Sequence, residues 1–396
     1  MNLSKLNISV KGGKGEIIFV LDGRIDANAS ENFKNVVMSQ IQSKKVNSVI
    51  FDCENLEYVS SSGLRVFLSL KQREKVKLKF INISDEVYDI FEVTGFSQIL
   101  DISRKIHDIS DSKGQLIAES NDMIMYQMDD EKIMKLYPHG TELKDVEHEL
   151  NLTKTALLSG IPTLISYFIV MYKGRYGIIY EMPNAKPVSS MIEFQKWKLD
   201  SYAKEMGKTL RLIHSCEPDI NVMPKTSETF TKYAAAMRNF YNDEEFAKLF
   251  SMIRAIPAKT TAVFENYYPN NIFMQGDELI LINMSGISCG NPIFDLGKLY
   301  MIYILEPEKL LKRLTGLELS QGKRFFTSML EGYFENEKAE TIERYKKIIP
   351  AMGYMCLSIC PAICKLSDKE NEMIVSRTRR DVLPAFNTIV NLLKQA

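Results

Sequence analysis

An excess of charge of either sign is missing from this sequence: fifty lysines and arginines are matched by fifty aspartates and glutamates. That balance excludes the global electrostatic footprint by which a chain binds nucleic acid or an anionic membrane through charge alone. Long apolar runs are missing too. The greasiest stretch, Gly160 to Tyr172, is interrupted by Pro162, Thr163 and Ser166 and is shorter than a bilayer span requires. The opening residues, MNLSKLNISVKGGKGEIIF, hold no apolar signal core. Together these absences predict a soluble, cytoplasmic protein with neither nucleic acid nor membrane among its partners. Cysteines are few, six in 396 residues, and without secretory features they predict free thiols in a reducing compartment. Cys356, Cys360 and Cys364 recur every four residues, a spacing that predicts one helical face with a kink at Pro361. With no fourth ligand nearby, they read as small core residues and not as a metal site. Internal repeats and low-complexity tracts are also lacking.

What is present is an ordinary globular composition, 45% hydrophobic and 25% charged, in a chain long enough for two or three cores. Between Ile8 and Ile102, β-like runs (ISV, EIIFVL, SVIFD, LKFIN) alternate with helical ones (ENFKNVVMSQI, SGLRVFLSLKQ, DEVYDIFEVTG). This alternation predicts an α/β unit of parallel strands covered by crossover helices. The polar segment around RKIHDISDSKG reads as a linker over residues 103–114. A second cycle begins at QLIAESNDMIMYQMDDEKIMKLY, two β-like runs around the turn Asp129-Asp130, and continues into the helical stretch ELKDVEHELNLTKTALLSG. FIVMYKGRYGIIYEM then predicts a hairpin turning at Lys173-Gly174. Beyond Pro187 the pattern is largely helical, interrupted by a loop and hairpin in VFENYYPNNIFMQGDELILINM.

In VIFDCENLEYVSSSGLRVFLSL an apolar strand runs into three serines that open an amphipathic helix. Two readings stand side by side. One serine caps the helix and the others fill a loop. Alternatively, the free amides and positive dipole end stabilise a phosphoryl group of charge about −2 on one of them, altering how the surface meets a partner.

Residues 8–102 resemble a STAS domain of the anti-sigma factor antagonist kind. LDGRIDANASENF matches the early strand-to-helix segment, SSSGL the switch loop and VYDIFEVTGFSQIL the closing helix. The resemblance implies phosphorylation of the first serine of a DSSG motif by a partner kinase that is also an anti-sigma factor, with loss of the complex. Aligned on Gly63, that position is Ser61, with Ser62 as second choice and Asp26 at an acidic position near the loop. The acidic residue that normally precedes the phosphoserine is Ser60 here.

For phosphoryl transfer the chemistry needs a phosphate cradle, a lysine held by a glutamate, metal-binding carboxylates and a base for the acceptor hydroxyl. EKIMKLY offers Lys135 and VEHELNLTKTALLSGIPT offers Glu149, a pair that alone reads equally as an ordinary salt bridge. In order along the chain, MKLY, VEHE, GIPT, GRYGIIYEM, LRLIHSCEPD, YYPNNIF and GNPIFDLG resemble the motifs of aminoglycoside phosphotransferases and related small-molecule kinases. That resemblance implies a kinase-like fold over residues 115–396, with nucleotide-binding roles for Lys135, Glu149, Glu181 on the hinge strand and Asn271, and a mainly structural role for Asp295.

The same resemblance marks what is replaced. Where the family reads HGDxHPGN, the chain has Phe264-Glu265-Asn266-Tyr267-Tyr268-Pro269-Asn270-Asn271, so the base aspartate is Asn266. The metal-chelating aspartate is Asn283, and the phosphate-covering loop ESNDMIMY has no glycine. A neutral amide neither accepts the acceptor's proton usefully nor offers Mg²⁺ an anionic oxygen, and loss of the base alone costs about 10²- to 10⁴-fold. Glu265, one residue away, is expected to point elsewhere.

The expected architecture is therefore an α/β STAS-like N-terminal domain (1–102), the linker (103–114) and an α+β protein kinase-like bilobal domain with N-lobe 115–184 and a mostly helical C-lobe 185–396. The expected function is a phosphorylation-responsive, anti-sigma factor antagonist-like regulator carrying an inactive pseudokinase, with an anti-sigma factor or serine kinase-like protein as partner. No catalytic or metal-ligating residues are expected; ATP, Mg²⁺ or another nucleotide or small-molecule ligand is left open. The alternative is an active ATP-dependent, aminoglycoside-type phosphotransferase regulated by its STAS-like domain.

Overall fold

Alternating apolar residues in EIIFVLDGRI put Ile17, Phe19, Leu21 and Ile25 on one fully buried face of strand β2 (Glu16–Ile25). The computed structural model describes residues 5–12, 15–44, 46–73, 76–119, 124–305, 308–364 and 366–396. The chain divides into two units, residues 1–109 and 110–396. In the first, β1 (Asn7–Gly12), β2, β3 (Ser48–Val59), β4 (Lys77–Ile83) and β5 (Asp101–Arg104) line up in sequence order. Strands β2 to β5 are parallel, joined by crossovers that contain α1 (Ala29–Lys44), α2 (Ser61–Arg73) and α3 (Asp85–Val93). Strand β1 departs from the all-parallel expectation by pairing antiparallel to β2, because the three residues between them are too few for the dozen or so that a parallel crossover needs. Strand β5 also takes up the first two residues of the expected 103–114 linker.

Phenylalanines fill this core. Phe51 stacks on Phe19 and Phe80 from flanking strands, at 5.6 and 5.0 Å between ring centres, while Phe33, Phe67 and Phe91 close over them from α1, α2 and α3. Six fully buried rings supply large apolar area in a small volume, with tilted and edge contacts adding to burial.

In the second unit, β6 (Gln115–Glu119), β7 (Ile124–Gln127), β8 (Lys132–Leu136), β9 (Ser166–Tyr172) and β10 (Arg175–Glu181) pair antiparallel in the order β9-β10-β8-β7-β6. Helix α4 (Leu143–Leu158) packs on this sheet. The expected hairpin turn is two residues long, and Lys173 and Gly174 both take positive φ (50° and 73°), the geometry that matches the strands' twist. The rest is mainly helical. After helix α5 (Leu199–Ile213) and two further helices, the antiparallel pair β11 (Thr261–Phe264) and β14 (Ile287–Gly290) encloses a short hairpin, β12 (Ile272–Gln275) with β13 (Glu278–Leu281). Helices α6 (Ile293–Tyr300), α7 (Leu319–Tyr333) and α8 (Ala339–Ser358) follow.

Helices α5 and α7 approach so closely that only glycine fits at the crossing. A Cβ on Gly207 would lie 2.0 Å from the Met329 carbonyl oxygen, and one on Gly332 would lie 2.1 Å from that of Lys204. The cysteine series differs from expectation: the helix breaks at Ile359, between Cys356 and Cys360, rather than kinking at Pro361. Pro361 occupies the second position of the helix Cys360–Cys364, where its missing N–H costs nothing. Among the described residues no helix is long and apolar enough to cross a membrane.

Candidate functional site

In the first unit, each serine of the SSS run has a different environment. Strand β3 ends at Val59, and Ser60 N–H donates to the Ile25 carbonyl (2.8 Å) at the end of the neighbouring strand. Ser60 then caps α2: its Oγ accepts from Gly63 N–H at 3.3 Å, and its carbonyl accepts from Leu64 N–H at 3.0 Å. Ser61 stands exposed at the first helical position, and Ser62 is half-buried. Gly63 is required by close approach, since a Cβ there would lie 2.6 Å from Ile25 Cγ2 and 3.0 Å from Val59 Cγ1. Asp26 follows Ile25 and caps the other helix of the junction, its Oδ1 accepting from Ala29 N–H at 2.8 Å. Asp26 and Ser61 thus each lie one residue beyond the Ile25–Ser60 bond. The first turn of α2 contains no acidic residue, so its positive end is not neutralised from within the helix.

In the second unit, β8 and α4 bring Lys135 and Glu149 together, Nζ to Oε1 at 2.5 Å, with the residues 5% and 8% exposed. The strand places Lys135, α4 places Glu149, and the segment after β13 supplies a third member: Lys135 Nζ also donates to Asn283 Oδ1 at 3.2 Å. Asn283 Oδ1 accepts from Ser285 N–H as well (3.1 Å), starting the single turn Met284–Gly286. Asn266 packs on that turn so tightly that a Cβ on Gly286 would meet its Nδ2 at 2.9 Å. Asn271 Nδ2 donates to the Asn266 carbonyl at 3.0 Å. Lys135, Glu149, Asn266, Asn271 and Asn283, far apart in sequence, therefore form one connected set.

Glu181 stands apart from this set. At the end of β10 it exchanges bonds with Ile165: its Oε1 accepts from Ile165 N–H (2.8 Å), and its own N–H donates to the Ile165 carbonyl (3.0 Å). Asp295 lies beneath the Phe264–Asn271 loop, where its buried Oδ2 accepts from Phe264 N–H at 2.6 Å and sits 3.0 Å from His214 Nε2. The other nitrogen of His214 is 2.8 Å from the Tyr333 hydroxyl. Glu265 is turned into the protein, where Lys298 Nζ (3.7 Å) and the Tyr233 hydroxyl (3.2 Å) take up its carboxylate. Burial outweighs Lys298 and pushes the Glu265 carboxyl above the usual carboxylate range.

This donor set does not fit a divalent cation. Asn266, Asn271 and Asn283 bring no anionic oxygen, Asn283 Oδ1 already faces an ammonium, and Glu149 is committed to Lys135. The one cationic group in the set is the Lys135 ammonium, already bonded to Glu149 and Asn283. Of the glycine-free phosphate-covering loop, Ser120–Met123 lie outside the described residues.

Residues beyond those expected from the sequence also belong to the surroundings. The Tyr137 ring lies 5.0 Å from Lys135 Nζ, and Tyr180 is buried next to Tyr137 and Glu149. Burial above all, with the nearby Glu149 carboxylate adding to it, keeps both phenols well above their ordinary range and hence neutral. Tyr137 was legible in principle, since in MKLY it falls two residues after Lys135, the spacing at which side chains of extended backbone share a side. The Glu265–Lys298 and His214–Tyr333 contacts join distant segments and leave no local pattern.

Residues 7–109 match the STAS domain family. The putative anti-sigma factor antagonist BtrV of Bordetella bronchiseptica is 30% identical over 92 residues, 22% of this chain and 78% of that protein. The anti-sigma-B factor antagonist of Listeria monocytogenes is 35% identical over 89 residues, 22% of this chain and 75% of that protein. Solved structures similar to most of the chain include a choline/ethanolamine kinase family protein from Mesorhizobium loti, at 12% identity and TM-score 0.49, covering 72% of this chain and 94% of that one. Another is the ADP-bound aminoglycoside phosphotransferase APH(2'')-Ib, at 14% identity and TM-score 0.46, covering 77% and 98%. Through its first hundred residues, where Ser60 caps the helix that follows β3, the chain belongs to the STAS domain family of anti-sigma factor antagonists.

Proposed function

We propose that this protein is a phosphorylation-responsive regulator of the anti-sigma factor antagonist kind whose kinase-like unit does not catalyse transfer. Ser61 is the phosphoacceptor: it is exposed at a helix start that offers free amides and has no carboxylate in its own first turn. The partner is a serine kinase-like protein or anti-sigma factor that docks on the unmodified surface and is released when about two negative charges are added there. Asp26, at the same junction, adds a fixed charge that the docking partner meets.

The single observation that carries the non-catalytic half is Asn283, whose amide oxygen lies 3.2 Å from the Lys135 ammonium where the family pattern has a metal-binding carboxylate. With Asn266 at the base position, the cleft lacks both groups that phosphoryl transfer needs. The test is a transfer assay with ATP, Mg²⁺ and a panel of alcohols, run beside a pull-down of partners with phosphorylated and unphosphorylated protein. No turnover and phosphorylation-dependent capture are expected; turnover abolished in Lys135→Ala would overturn the reading.

A second reading, an active ATP-dependent small-molecule phosphotransferase regulated by its STAS domain, is favoured by the Lys135–Glu149 pair. An enzyme keeps that pair to orient nucleotide phosphates. The same transfer assay decides between the two.

A further inference from the structure

Asn266 and Asn283 stand where the resemblance implies carboxylates, and both differences run in one direction: they remove negative charge around the Lys135–Glu149 pair and leave the lysine in place. We propose that this site binds a nucleoside di- or triphosphate without a divalent cation, Lys135 and the amides of Asn266 and Asn283 replacing the metal as partners of the phosphate oxygens. The proposal rests on the non-catalytic reading and specifies the ligand of that same site.

Charge sets the requirement for a metal. Two carboxylates at positions 266 and 283 would repel a polyphosphate unless a cation lay between them, and such a cation is what a metal-using cleft recruits. With amides at both positions the repulsion is gone, and so is the reason for the cation. Each amide also carries N–H donors that a carboxylate lacks. Asn283 spends its oxygen on Lys135 Nζ and Ser285 N–H, which leaves its Nδ2 as the group to offer. Gly286 lets Asn266 press against the turn that Asn283 begins, so the two amides share one small volume. Glu149 and Asn283 occupy two of the three N–H bonds of the Lys135 ammonium among the described residues, leaving a third for a phosphate oxygen. Tyr137 and Tyr180, both held neutral, add no negative charge around the lysine.

Isothermal titration calorimetry of the full chain with ATP and with ADP, in Mg²⁺ and in EDTA, tests this directly. Affinities equal within about threefold in the two conditions are expected. Lys135→Met is expected to weaken binding at least about tenfold, the loss of a charge-assisted hydrogen bond, while far-ultraviolet circular dichroism confirms the fold. Asn283→Asp is expected to restore a metal requirement, weakening binding about tenfold in EDTA but not in Mg²⁺. If that variant fails to fold, the wild-type titrations and Lys135→Met are sufficient to decide. Binding only in Mg²⁺, or no binding in either condition, overturns the proposal and leaves the non-catalytic reading standing. Turnover in a separate transfer assay overturns that reading and leaves the metal comparison to be judged on its own.

Discussion

The serine junction of the first unit presents its chemistry to solvent, whereas the lysine–glutamate pair of the second keeps its chemistry beneath the surface. Ser61 is exposed, and everything that positions it is backbone, a neighbouring cap and a glycine pressed between Ile25 and Val59. Lys135 and Glu149 are buried against each other, and the lysine is bonded to Asn283 as well. A hydroxyl that receives a group from another protein has to be reachable, and its surroundings carry shape. A buried ion pair is held by the cost of separating its members, so it persists as structure whatever becomes of the reaction around it.

That contrast predicts where substitutions hurt. The largest effect is expected beneath the cleft. Asp295→Ala leaves Phe264 N–H and His214 without their buried acceptor and should cost the second unit about 3–5 kcal/mol in urea unfolding. A loss no larger than that of a surface substitution would break the contrast between a buried, structure-bearing site and an exposed one. In the first unit, Gly63→Ala should cost about 1–3 kcal/mol by overpacking against Ile25 and Val59. Ser60→Ala removes the cap of α2 and should cost about 1 kcal/mol. Ser61→Ala should change stability by less than about 0.5 kcal/mol yet abolish phosphate incorporation by a partner kinase, read by mass spectrometry. Incorporation that persists in Ser61→Ala and vanishes in Ser62→Ala would move the acceptor one residue along.

The smallest effect expected is a pH dependence. Burial raises the Glu265 carboxyl in the folded state, so the folded protein binds that proton more tightly than the unfolded chain does. The resulting stabilisation is present at acid pH and is lost as pH rises from the ordinary glutamate range through the raised value. Glu265→Gln should flatten this part of the stability profile, measured as unfolding midpoint against pH.

Much of the first unit was legible because its signals are local: period-two burial in β2 and β3, helical runs between them, and a strand ending in a cap residue. The direction of β1 was not, since pairing sense depends on the length of the connection and not on the strand's own pattern. In the second unit the Lys173-Gly174 turn could be read from two residues, whereas the break at Ile359 was misplaced to Pro361 because a proline near a helix start is tolerated. The Lys135–Glu149 pair was visible as spacing alone. That Glu265 faces Lys298, and that Asp295 supports Phe264, was not visible at all, because 33 residues separate the first pair and 31 the second.

By itself the sequence determined which residue types stand at each position: three serines and a glycine at a helix start, amides at 266 and 283, a lysine followed by a glutamate. Hydrogen-bonding capacity and charge are properties of the side chain, and they can be stated before any folding. Only the tertiary structure decided which serine is capped and which is exposed, and that the amide of Asn283 meets the ammonium of Lys135 across 148 residues. Partners of that kind are chosen when the chain buries its apolar faces and brings distant segments to one place, and nothing local records the outcome.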